Sequence, residues 1–143
     1  MTGAITAEEA QPTGAAARVV ITSFGYRHAA PPPAEVTLDV RRVLRDPHTD
    51  PQLRDLTGLD DVIRAKVART PGALGLVTST TNQVASLLEE VSASVRIDVS
   101  VGCAGGRHRS VVLAEVLAGL LRGAGFEVRV EHRDLHQPVL PLA

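Results

Sequence analysis

The chain is poor in several residue types on which whole classes of protein depend. It has one cysteine, Cys103, so an internal disulfide and a cysteine-cluster metal site are excluded. Tryptophan is absent, and one tyrosine with two phenylalanines leaves almost no surface on which unpaired bases stack. Lys66 is the only lysine; no Gly-x-x-x-x-Gly-Lys-[Ser/Thr] loop occurs, and ATP or GTP hydrolysis is not expected. No apolar run approaches the roughly 20 residues that cross a bilayer. Residues 1–17 lack the basic start and apolar stretch of a signal peptide and carry Glu8 and Glu9 instead. These absences imply a cytoplasmic protein with no membrane partner. A net charge of -1 gives no overall field toward nucleic acid. His28, His132 and His136 show no metal spacing with one another, so neither a metal nor a cofactor is expected.

What is present fits one domain: 143 residues, 44% hydrophobic and 22% charged. Residues 1–17 are small and polar without periodicity and read as a disordered leader, 18–135 as the domain, and 136–143 as a tail. Strands are expected over 18–24, 35–40, 95–101 and 126–131, where β-branched residues run together or alternate. Thr57 to Asp60 has capping-box spacing ahead of a helix running to about Thr70, with Leu59, Ile63 and Val67 on one face. A second helix is expected over about 79–92, burying Val84, Leu87, Leu88 and Val91. A third, over about 107–123, is apolar on nearly every side. Strands alternating with helices predict a single-domain α/β sandwich with a small, mostly parallel sheet flanked by helices.

One stretch carries chemistry: Gly102, Cys103, Ala104, Gly105, Gly106, Arg107, His108, Arg109 and Ser110, set between a strand and a helix start. Ligands gather beyond the carboxyl ends of parallel strands. Glycines let the backbone approach a ligand closely, and the first-turn amides of the following helix lack intrahelical partners and favour an oxyanion. Arg107 and Arg109 add charge, Ser110 a hydroxyl, and His108 a donor for phosphate or for a backbone carbonyl. The long polar loop over 41–56, broken by Pro47 and Pro51, suggests that His48 and nearby arginines line a site.

Two functions compete for the loop. Cys103, Gly106, Arg109 and Ser110 match the Cys-x-x-Gly-x-x-Arg-Ser pattern of cysteine-dependent phosphatases, in which a thiolate attacks phosphorus and the arginine grips equatorial oxygens. Those phosphatases usually have His before the cysteine; here it is Gly102. In the other reading the loop binds a phosphorylated small molecule without cleaving it. Six blocks in order bear on the choice. They are Ser23 to Tyr26, Asp39 to Arg41, Asp46 to His48 with Leu53-Arg54, Leu56 to Asp60, the loop itself, and His132 to Leu135. Together they resemble the C-terminal domain of the RapZ family of RNase adapter proteins.

That resemblance implies a regulatory sensor or adapter for an amino-sugar phosphate such as glucosamine-6-phosphate, acting through a protein partner and with room for a homo-oligomer. RNA enters as a partner through the resemblance alone, and residues 137–143 lack the basic cluster of RNA-binding members. It also implies a sugar-phosphate site of Asp39, His48, Arg69, Cys103, Gly105, Gly106 and Arg109. Ala104 stands where the family usually has Thr, which removes one hydroxyl donor. Read on its own, Asp39 is about as well suited to a surface ion pair with Arg41 as to a sugar hydroxyl.

Overall fold

Side chains alternate across a strand, so a strand has two faces and each must be covered separately. The computed structural model describes residues 17–44 and 51–139. Four strands, β1 (Val19–Gly25), β2 (Val36–Asp39), β3 (Ile97–Cys103) and β4 (Val128–His132), form a sheet in the order β2-β3-β1-β4. All three pairings are parallel. The helices are α1 (Asp61–Ala68), α2 (Ala73–Glu90) and α3 (Arg109–Gly123). The expected single-domain α/β fold with a small parallel sheet is therefore present.

Every strand residue of the helix-packed core falls on one face: Val19 and Ile21, Val36, Ile97, Val99, Val101 and Cys103, and Val128 and Val130. All three helices join this core: α3 lies across β1, β3 and β4, α2 packs on α3 and β3, and α1 packs on α3 and α2. Its Val111, Val112, Leu113, Ala114, Leu117, Ala118 and Leu121 are buried, and each fully buried Leu stabilises by about 1.5–3 kcal/mol. The opposite face carries Val20, Phe24 and Ser100, also buried. The proline-rich connection between β1 and β2 closes over it, where the Pro32 carbonyl accepts from Ser100 Oγ at 2.9 Å. Proline has no N–H to offer a sheet ladder, which suits this segment to a covering loop.

Thr57 and Asp60 interact reciprocally as the capping box predicts, but one turn early. The Thr57 amide donates to Asp60 Oδ2 at 2.7 Å and the Leu59 amide to Thr57 Oγ1 at 3.2 Å. Helix α1 begins only after Asp60, so Leu59 precedes it and is 50% exposed, while Ile63 and Val67 are buried as expected. Helix α2 begins at Ala73, two turns before the expected start. Strand β3 runs two residues further than its apolar alternation, through Gly102 and Cys103. A Cβ at Gly102 would collide with the rings of Phe24 and Tyr26, so this glycine serves ring packing against the strand.

Candidate functional site: the turn from β3 into α3

Because β3 ends at Cys103, the candidate loop is the five-residue turn 104–108. The first hydrogen bond of α3 runs from the Val112 amide to the His108 carbonyl at 3.1 Å. Among the described residues, the amides of Ala104, Gly105, Arg107, Ser110 and Val111 have no acceptor. The Gly106 amide differs: it donates to Cys103 Sγ at 3.2 Å, and Ser110 Oγ lies 3.2 Å from the same sulfur. Cys103, 3% exposed, is therefore the buried hub around which the loop folds. A helix start with unpaired amides presents about half a positive charge to its surroundings.

Neighbouring backbone fixes the loop from one side. The Tyr26 amide donates to the Cys103 carbonyl at 2.9 Å and the Arg27 amide to the Ala104 carbonyl at 3.1 Å. Gly25 and Gly106 meet without side chains between them: a Cβ on Gly106 would lie 2.6 Å from the Gly25 nitrogen. Gly106 also holds φ +78, where other residues are strained. At Gly105 a Cβ would meet nothing within 4 Å, so the side-chain position of this glycine faces open space.

The basic side chains of the loop turn inward to main-chain carbonyls. Arg107 donates through Nη2 to the Asp55 carbonyl at 2.8 Å and through Nη1 to those of Leu135 and Gln137 at 3.1 and 3.2 Å. His108 Nε2 lies 2.6 Å from the Leu56 carbonyl, and the Gly58 amide donates to the Arg107 carbonyl at 2.6 Å. Arg109, 2% exposed, donates through Nη1 to the carbonyls of Val40 at 2.8 Å and of Arg41 and Val43 at 3.2 Å. These residues thus fasten three chain segments around the turn.

Asp39 ends β2 opposite Gly102 of β3. It pairs with Arg41 at 2.7 Å, the surface ion pair weighed from sequence, and the Arg41 hydrogen bond holds its carboxyl below the usual range. Arg41 also stacks 3.6 Å over the Tyr26 ring, whose phenol is pushed up by burial and then by the Asp39 charge. Asp39, Tyr26 and Arg41 therefore stand together at the sheet edge that carries the loop. Arg69 caps the C-terminus of α1, is exposed, and has no hydrogen bond to the loop among the described residues. His48, with Asp46 and Pro47, lies outside the described residues.

Three residues beside the loop were not singled out as site residues. His28 follows Tyr26 and Arg27, and its Nε2 is buried without a hydrogen-bond partner among the described residues. Arg133 and Asp134 brace Gly25: Asp134 Oδ2 accepts from the Gly25 amide at 2.7 Å, and Arg133 Nη2 lies 2.8 Å from the same oxygen. Their one sequence signal is the block His132 to Leu135, whose residue types alone do not reveal a role. Among the described residues no cluster of His, Cys, Asp and Glu could hold a metal ion, and no helix is long and apolar enough to cross a membrane.

A family model described as RapZ C-terminal domain matches residues 17–136. A nucleotide-binding protein of Rhodospirillum centenum is 44% identical over 119 residues, 82% of this chain and 36% of that protein. Another from Thermobifida fusca is 41% identical over 120 residues, 82% of this chain and 40% of that protein. One from Rhodospirillum rubrum is 39% identical over 121 residues, 83% and 38% of the respective chains. The chain thus spans about two fifths of the length of these curated relatives.

Proposed function

The chain belongs to the RapZ C-terminal domain family, and on that premise we propose that it binds a phosphorylated small molecule without cleaving it, as a regulatory sensor or adapter working through a protein partner in the cytoplasm. The observation that carries this reading is the group of acceptor-free amides at Ala104, Gly105, Arg107, Ser110 and Val111 where β3 hands over to α3. Such donors match phosphate oxygens and sit in the favourable end of a helix dipole. The guanidinium groups of Arg107 and Arg109 contribute charge from behind the loop while shaping it. An amino-sugar phosphate is the proposed ligand class, with Asp39, His48 and Arg69 included in its site on the strength of the family resemblance. The ligand implied by the relatives' name, a nucleotide, is a property of proteins more than twice this length.

RNA is a weaker partner on physical grounds. Phe24 is fully buried and the Tyr26 face is covered by Arg41, so these rings offer no platform for unpaired bases.

A cysteine-dependent phosphatase is the second reading, favoured by the Cys103 sulfur lying 3.2 Å from both Ser110 Oγ and the Gly106 amide. Against it, Arg109 is turned to carbonyls and the sulfur is buried, so neither the nucleophile nor the oxygen grip faces a substrate.

Thermal unfolding with a panel of sugar phosphates tests the proposal. A ligand at one hundred times its dissociation constant should add about 2.7 kcal/mol of stability. A panel that leaves the melting temperature unmoved at millimolar concentration contradicts it.

A further inference from the structure

We propose that Asp134, paired with Arg133, is a positioning residue that aims the free amides of the loop without touching the ligand. Strand β4 stops pairing with β1 at His132, opposite Ser23, and the Arg133 amide adds one more bond to the Ser23 carbonyl at 2.9 Å. Beyond that point the Gly25 amide has no β4 residue to pair with, although Gly25 still lies beside Cys103 of β3, and Asp134 Oδ2 takes the place of the missing carbonyl at 2.7 Å. The carboxylate is buried, with its side chain 4% exposed, a costly placement for a charge unless it is paired. Arg133 supplies the pair, and its fork reaches on to the carbonyls of Ala30 at 2.6 Å, Ala29 at 3.1 Å and Gly25 at 3.2 Å. The turn that leaves β1 is thus held at both ends by these two consecutive residues.

The same turn orients the loop. Its Tyr26 and Arg27 amides donate to the carbonyls of Cys103 and Ala104. In a trans peptide the carbonyl and the following N–H point in opposite directions. Fixing the Cys103 and Ala104 carbonyls toward the turn therefore fixes the Ala104 and Gly105 N–H groups away from it. Contact between Gly25 and Gly106 reinforces the arrangement, and the Asp134 Cβ would lie 2.9 Å from a Cβ on Gly106. The chain of cause runs from Asp134 to Gly25, to Tyr26 and Arg27, and to the donor amides. Its consequence for affinity rests on the anion-binding reading; its consequence for loop geometry does not.

The test uses the whole chain labelled with nitrogen-15, as wild type and as Asp134→Asn, with inorganic phosphate and glucosamine-6-phosphate as probes. In Asp134→Asn the Tyr26 and Arg27 amides should exchange with solvent about tenfold faster and the Gly105 resonance should move, while core amides such as Ile21 and Val99 keep their protection. Affinity for whichever probe binds wild type should fall about tenfold. Unchanged Tyr26 and Arg27 exchange, loss of protection in step with the core, or a moved loop with unchanged affinity would each overturn the proposal. If wild type binds neither probe, the anion reading falls, and the exchange rates and the Gly105 resonance still decide the positioning claim. Should Asp134→Asn not fold, Arg133→Gln carries the same readouts, since its side chain is 27% exposed and less embedded.

Discussion

Arg109 Nη1 lies 2.8 Å from the carbonyl oxygen of Val40, 69 residues earlier in the chain. The same nitrogen reaches the carbonyls of Arg41 and Val43 at 3.2 Å, so the first residue of α3 holds the backbone that leaves β2. That backbone includes Leu44 at φ 65, a conformation that a Leu keeps only when its surroundings impose it. Arg109→Ala should therefore destabilise the fold by about 2–3 kcal/mol in urea unfolding, since it strips a charged donor from the buried Val40 carbonyl and from the part-buried bonds to Arg41 and Val43. Arg109→Lys should recover less than half of the loss, because an ammonium lacks the planar fork. A loss below about 0.5 kcal/mol in Arg109→Ala would show that the contact is incidental.

Neighbouring glycines of the loop should respond in opposite ways. Gly106 holds φ +78 with its backbone against Gly25, and Gly106→Ala should cost about 1–3 kcal/mol. Gly105→Ala should change stability by less than about 0.5 kcal/mol, since the added methyl meets nothing within 4 Å. It should nonetheless weaken phosphate binding by crowding the amide beside it. Equal stability losses in the two variants would contradict the geometry.

Much of this architecture was legible in the sequence, and the exceptions have physical reasons. The β-branched runs gave all four strands, because burial on a sheet selects them directly. Gly102 and Cys103 look like loop in sequence yet continue β3, since the glycine is needed for the packing of Phe24 and Tyr26 against the strand. The first two turns of α2, up to Thr78, were missed because Gly75 and Thr78 are poor helix formers. Burial of Ala73, Val77 and Thr80 overrides that preference, and Ser79, Thr80 and Thr81 return their hydroxyls to carbonyls one turn back. The loop itself was legible as glycines between a strand and a helix. The targets of Arg107 and Arg109 were not, because their carbonyl partners lie tens of residues away and only the fold brings them together.

Glu115 gives a pH dependence. His132 Nε2 lies 2.6 Å from Glu115 Oε2 while His132 Nδ1 lies 2.6 Å from Ser23 Oγ, so one imidazole joins α3 to β1. The hydrogen bond from His132 pulls the Glu115 carboxyl below its ordinary 4.5, against the opposing effect of burial. A group with a depressed folded pKa contributes stability above its unfolded value and loses it as pH falls through the folded one. Wild type should lose stability as pH drops below about 4.5, and Glu115→Gln should show a shallower decline over that window. Asp39, lowered chiefly by its Arg41 hydrogen bond but exposed, acts in the same direction with a smaller effect. Parallel acid-unfolding curves for wild type and Glu115→Gln would refute this assignment.

Wild type should not turn over an aryl phosphate above the buffer rate, and Cys103→Ser should keep its affinity for a sugar phosphate. Turnover that disappears in Cys103→Ser would instead establish the phosphatase and remove the sensor.

The most direct measurement is a titration of the labelled chain with glucosamine-6-phosphate, followed at individual backbone amides. Resonances of Ala104, Gly105, Arg107, Ser110 and Val111 should move together and saturate, with the distant end of α3 still. Saturable shifts that spare these five amides, or none at any concentration, would contradict the claim that the turn from β3 into α3 is the phosphate site.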